Sequence, residues 1–196
     1  SAEFRLIQVG NVSLPSQYYD KKNHYDYYYP LSLIALSRSG YSSFTDEDYA
    51  VFAKRVIILP FDPIDWTDSK FRHYVDYAKS GGVLVVMNSD NNFEGRFNKL
   101  LSVVPTNNNT TEFSGISKRN GIQILNISGR VRNADVKPAH DTRVLASYRN
   151  GLNKIIAPFA IEKNFPSGGK IILVNDKGYF DAIYANPKKY FTTLQN

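Results

Sequence analysis

A hydroxyl, a carboxylate and an imidazole are the working parts of a nucleophilic hydrolase, and Ser89, Asp90 and His140 are where this sequence offers them. Ser89 and Asp90 follow the apolar run Val83-Leu84-Val85-Val86-Met87, and the carboxyl end of a buried strand is where open α/β sheets hold their ligands. His140 precedes Asp141, a base with an orienting carboxylate beside it in sequence. Against this reading, Ser89 lies between Asn88 and Asp90 instead of the glycines that permit a strained nucleophile turn. A serine just past a strand ordinarily caps a helix or makes a turn. Residues 88–92 therefore read as a polar loop before a helix beginning near Phe93, and no catalytic residue is assigned.

Carboxylates give a second chemistry. Asp62, Asp65, Asp68, Asp90, Glu94 and Asp176 fall after predicted strands, and convergence on one sheet edge would supply a glycosidase pair or a hard-cation site. Asp90 and Glu94 are close enough in sequence to share a cation. Asp62, Asp65 and Asp68, however, precede a predicted helix, where the dipole favours carboxylates with no functional demand, and capping is the preferred reading. Asp62, Asn88, Glu94, Asn175 and Asp176 remain as candidates for a ligand-holding edge. His24, His73 and His140 are far apart and there is no cysteine, so neither a transition-metal site nor a thiolate is expected, and no cofactor is called for.

These residues need elements to hold them. Residues 4–9 and 55–59 read as strands. A Pro30-to-Gly40 stretch carries helix punctuation, and residues 45–48 read as a polar connection or helix start. Asp65 to Asp68 offers caps, and Phe71, Tyr74, Val75 and Ala78 share one helical face that ends at Gly81-Gly82. Strand, helix and strand in that order predict a right-handed βαβ crossover, its strands buried on both faces. Beyond Pro105, residues 106–111 read as a polar loop. Four further strands are expected near residues 122–127, 144–148, 155–161 and 170–174, with Asn150-Gly151 as a hairpin turn. Short helices at 180–184 and 188–194 close the chain. The expected fold is a three-layer α/β domain over residues 1–196, with a mostly parallel central sheet, helices on both faces and a β-hairpin extension, forming part of a longer chain.

The 196 residues carry 24 Lys and Arg against 18 Asp and Glu. The net charge of +6 is spread over small groups, Lys21-Lys22, Lys118-Arg119, Arg130 with Arg132, and Lys188-Lys189, without the stripe of a duplex-binding surface. Nucleic acid is not an expected partner, and no run is long and apolar enough to enter a membrane. Asn11, Asn108, Asn109 and Asn126 head N-glycosylation triplets. With 14 Tyr, one Met and no Cys, they suggest an extracellular or cell-surface setting, although an A+T-rich coding sequence would enrich Asn, Lys, Tyr and Ile with no such meaning. The basic and aromatic run at residues 21–29, including His24, could stack on sugars, whereas such density more often packs against neighbouring domains.

Ile57-Ile58-Leu59-Pro60, the helix through Tyr74-Val75-Asp76-Tyr77-Ala78-Lys79-Ser80-Gly81-Gly82, and Val83-Leu84-Val85-Val86-Met87 together resemble the core of class I glutamine amidotransferase-like domains. Val144-Leu145-Ala146-Ser147-Tyr148 with Asn150-Gly151, Ala157-Pro158-Phe159-Ala160-Ile161 and Gly169-Lys170-Ile171-Ile172-Leu173-Val174 are similar to the closing strands of that fold's noncatalytic relatives, such as the trimerisation domain of some β-galactosidases. The resemblance covers residues 50 to 180 in pattern more than identity. It implies a Cys nucleophile after the strand that follows Gly81-Gly82 and a late His and Glu, but this chain has Asn88-Ser89-Asp90 and Asn175-Asp176-Lys177 there. The scaffold is implied without its chemistry. The expected function is a noncatalytic interaction or ligand-binding domain of a secreted or membrane-anchored protein, its partners being other domains, another surface protein or carbohydrate. The competing reading is a hydrolase of sugars or amides using Ser89, Asp90 and His140 or paired carboxylates.

Overall fold

A computed structural model of the chain describes residues 4–8, 43–45, 56–59, 61–88 and 91–186. Its strands are β1 (Phe4–Gln8), β2 (Ser43–Thr45), β3 (Val56–Leu59), β4 (Val83–Met87), β5 (Val103–Phe113), β6 (Gly115–Lys118), β7 (Gln123–Leu125), β8 (Gly129–Val136), β9 (Thr142–Arg149), β10 (Ile155–Asn164) and β11 (Lys170–Val174). The helices are α1 (Asp68–Lys79), α2 (Arg96–Leu100) and α3 (Lys177–Ala185). The helices expected near residues 30–40 and 188–194 lie outside the described residues.

β3, α1 and β4 form the strand–helix–strand unit that the sequence predicts, with β3 and β4 paired in parallel. Thr67 caps α1, its Oγ1 accepting the Lys70 N–H at 3.2 Å, with Asp68 in the first turn and Lys79 in the last, where each complements the helix dipole. The helix buries Tyr74, Val75, Tyr77 and Ala78. It ends in a Schellman turn, the Gly82 N–H bonding Tyr77 O and the Gly81 N–H bonding Ala78 O, each at 3.1 Å. Gly81 takes φ +110° there, a conformation a side chain would strain.

The expected three-layer, mostly parallel architecture is not what forms. Among the described residues the main sheet has nine strands in the order β2-β1-β3-β4-β11-β10-β9-β6-β7. It is parallel from β2 to β11 and antiparallel from β11 to β7. The physical reason lies in the connections: from β5 to β11 no helix intervenes, and a parallel pair requires a crossover of a dozen residues or more. Turns as short as those at 119–122, 150–154 and 165–169 allow only antiparallel neighbours. Among the described residues no helix is laid over that half between β5 and β11, and the protein is mostly β and not a three-layer α/β sandwich. In place of helices, a two-stranded sheet of β5 and β8 packs against β10 and α3.

Local expectations change for similar reasons. Residues 106–111 belong to β5, but five steps from Pro105 to Thr110 face only two from Ala134 to Arg132, so the polar stretch bulges out of a strand. β6 and β8 had no clear apolar signal. In β8 only Val131 and Ala134 are buried, the rest of Gly129–Val136 being polar or half-exposed. Asn150-Gly151 does mark a hairpin, yet its positive φ falls on Asn153, because Asn150 Oδ1 accepts the N–H groups of Leu152 and Lys154 and organises a longer loop. The central strands alternate instead of burying both faces, with Leu84, Val86, Ile171 and Leu173 inaccessible and their neighbours Val83, Val85, Ile172 and Val174 half-buried. Phe113 packs on Tyr148 with ring centres 4.7 Å apart, Phe71 on Phe97 at 4.8 Å.

Candidate functional site

Parallel β3, β4 and β11 end together, and the segments leaving them bring Asp62, Asn88, Asn175 and Asp176 to one edge, four of the five residues the sequence nominates for it. None is open to solvent: their exposures run from 1% to 2%. Asp62 Oδ1 accepts the Phe97 N–H at 2.8 Å, and Oδ2 accepts the Asn98 N–H at 3.0 Å and Asn98 Nδ2 at 2.8 Å. Asp62 therefore caps α2, which lies 35 residues on, instead of α1 directly after it.

Amides complete the closure. Asn175 Oδ1 accepts from Asn88 Nδ2 at 2.9 Å and Asn98 Nδ2 at 3.0 Å, while Asn175 Nδ2 donates to Asn98 Oδ1 at 3.0 Å. Asn91 spans the margin, its Nδ2 donating to Asp62 O at 2.6 Å and its Oδ1 accepting the Gly95 N–H at 3.3 Å. Below, the buried Tyr148 hydroxyl donates to Asn175 O and accepts the Tyr179 N–H. Burial and the neighbouring Asp176 charge hold that hydroxyl well above its ordinary pKa, so it remains a proton donor. A Cβ on Gly95 would overlap the Asp62 carboxyl, so glycine lets the chain pass the carboxylate. A buried network satisfied in this way rigidifies what it joins, and the side-chain oxygens of Asp62, Asn88, Asn98 and Asn175 are already used as acceptors, whereas the buried Asp176 Oδ2 accepts no hydrogen bond among the described residues.

The remaining candidates are dispersed. Glu94 is exposed and turned to the small sheet, its Oε1 accepting from Arg132 at 2.8 Å. Asp65 and Asp68 are exposed, and Asp68 pairs with Arg96 at 2.6 Å. Ser89, Asp90, His24 and Asn11 lie outside the described residues. His73 is exposed on α1. His140 is exposed in the β8–β9 connection, where Asp141 binds Lys163 Nζ at 2.7 Å and accepts the Asn164 N–H. Asn164 is paired with Lys170 and Lys170 with Val83, which places His140 and Asp141 at the amino ends of β4 and β11. Asn88 follows the opposite ends, roughly 13 Å further along at about 3.3 Å per residue, so His140 does not join that edge. Among the described residues no group of three or more His, Cys, Asp or Glu side chains could hold a metal ion, and no helix is long and apolar enough to cross a membrane. Asn108, Asn109 and Asn126 are exposed.

Asn98 and Tyr148 were not singled out by the sequence. Asn98 carries one weak signal, a polar residue between Phe97 and Leu101 on a short apolar helix. The Tyr148 hydroxyl carries none, because its partners come from 27 and 31 residues away.

The fold is thus a half-parallel, half-antiparallel sheet whose strand-end edge is closed by side chains. No family model and no curated protein match the sequence. Solved structures do match. The exo-β-1,4-mannosidase Op5Man5 from Opitutaceae bacterium strain TAV5 is similar with a TM-score of 0.59 and 10% identity, over 98% of this chain and 34% of that one. Gan42B, a GH42 β-galactosidase from G. stearothermophilus, is similar with a TM-score of 0.54 and 12% identity, over 98% and 30%. The mmIFT52 N-terminal domain gives 0.53 and 15%, over 99% of this chain and 98% of that domain. At these identities the likeness is one of fold. The chain spans about a third of the length of each glycosidase, and the β-galactosidase side of the sequence resemblance holds at the level of fold.

Proposed function

We propose that this chain is a noncatalytic interaction module of a larger protein, secreted or anchored at the cell surface, that contacts other domains of its parent chain or a partner protein, with carbohydrate as a further ligand class. The observation that carries this reading is the closure of the strand-end edge by Asp62, Asn88, Asn98 and Asn175. In open α/β sheets that edge is the ligand crevice, and here the side chains of Asp62, Asn88, Asn98 and Asn175 are spent on one another. Similarity to about a third of a mannosidase and of a β-galactosidase supports a place beside other domains, and the resemblance to trimerisation-type domains supports association over chemistry.

The test is a hydrolase screen of the purified chain against nitrophenyl β-galactoside, β-mannoside and γ-glutamyl anilide. No turnover above buffer is expected. Turnover that disappears in Ser89→Ala while that variant keeps the parent's unfolding midpoint would replace this reading with an enzymatic one.

A further inference from the structure

The antiparallel half of the sheet has an opening of its own. A cavity of about 650 Å³ lies between the end of β8 and the face of β9 and β10, a size ordinary for ligand sites. Four cations, Arg119, Lys137, Arg143 and Arg149, line it against one carboxylate, Asp135. Glu162 answers Arg143 from 3.5 Å. Arg119 and Lys137 make no ion pair among the described residues. Arg149 donates one terminal nitrogen to Asn153 O at 3.0 Å, and its buried Nε–H meets no acceptor among the described residues, a state native proteins rarely leave a donor in. A second opening of about 500 Å³ continues past Arg119 and Arg143 to Lys118.

Between the charges the surface is aliphatic: Val136, Val144, Ile155 and Pro158, with Ile155 exposed to 59%. Among the described residues no aromatic side chain lines either opening, so these residues offer no platform on which a sugar ring or a base would stack. Positive walls on an aliphatic floor complement carboxylates carried on a backbone with aliphatic side chains between them.

We propose that this groove docks an extended acidic peptide segment in which Glu or Asp alternates with aliphatic residues. The inference rests on the interaction-module reading and gives that module a surface and its partner a chemistry. Arg119 and Lys137 meet the carboxylates, Arg149 adds positive charge to the wall, and Val144 and Ile155 receive the aliphatic side chains.

The probe is a fluorescein-labelled (Glu-Val)4 peptide, titrated with the 196-residue chain and read by fluorescence anisotropy in low salt. Saturable binding is expected, weakened about tenfold or more by the double reversal Arg119→Glu/Lys137→Glu and strengthened by Asp135→Asn. Both variants change exposed side chains, which normally leaves stability nearly unaltered, and Arg149→Gln gives a third readout. Absence of saturable binding, or binding indifferent to the double reversal, overturns the proposal. Equal affinity for (Glu-Gly)4 or for an oligogalacturonate overturns it too, by showing a surface that selects charge alone or acidic sugar. Turnover in the hydrolase screen would sink the module reading together with this one, whereas a silent screen with no peptide bound sinks the docking alone.

Discussion

Replacing Asp62 with alanine should destabilise the protein by about 4 kcal/mol. Phe97 and Asn98 are fully buried, and both direct their backbone N–H groups at that carboxylate; an abandoned buried donor costs about 1–3 kcal/mol. The Asn98 amide loses one of its acceptors as well. Gly95→Ala should cost about 2–4 kcal/mol for the same reason. Gly95 sits at φ −70°, ψ 165°, which alanine adopts without strain, so the cost comes from the overlap of the new methyl with the Asp62 carboxyl, which must move and release its donors. In an Asp62→Ala background that obstacle is gone. The two substitutions should therefore couple by about 2–3 kcal/mol. Urea unfolding measures this directly, because the single tryptophan, Trp66, packs against Tyr74 in the core with ring centres 5.0 Å apart and reports the transition. A Gly95→Ala cost that is equal in both backgrounds would refute the assignment of Asp62 as the structural anchor.

Three further outcomes follow from the same contacts. Tyr148→Phe leaves Asn175 O and Tyr179 N without their hydroxyl partner and should lower stability by about 1–3 kcal/mol, seen as a lower urea midpoint at unchanged slope. Burial raises the Asp181 carboxyl to about 7, so between about pH 4 and 7 the native state keeps a proton that the unfolded chain has lost, and the associated stability is present at low pH and lost as pH rises. Asp181→Asn should match the parent near pH 4 and melt higher at pH 8; a lower melting point at pH 8 would show that the ion pair with Lys177, 3.1 Å away, outweighs burial. Gly81→Ala forces a side chain into φ +110° and should cost about 1–2 kcal/mol, read from thermal melts.

What was legible in the sequence was local. The β3–α1–β4 crossover announces itself through contiguous apolar runs, a threonine and aspartate at the helix start and paired glycines at its end, all within about thirty residues. Asp62, Asn88, Asn175 and Asp176 could be nominated because each follows such a run. Their state could not: whether an edge is open or closed depends on bonds between residues 77 and 87 positions apart, and a lone asparagine in Arg96–Leu100 gives no hint of its partners. The three-layer expectation fails because the βαβ signals of residues 56–87 do not continue into a region where short turns enforce antiparallel pairing. Basic residues that look scattered along the chain, Arg119, Lys137, Arg143 and Arg149, line one groove because strand register, and no sequence spacing, gathers them.

The reach of Asp62 across 35 residues also bears on the order of events in folding. Its bonds to α2 join the chain before α1 to the chain after β4, so they close only once β3 and β4 are side by side and the crossover is in place. We expect contacts of that kind to form on the native side of the folding barrier. Asp62→Ala should then unfold faster than the parent and refold at nearly the parent rate, which stopped-flow mixing in urea checks. On that expectation the network that seals the strand ends would act as a kinetic latch, lengthening the lifetime of the folded state without directing the chain towards it.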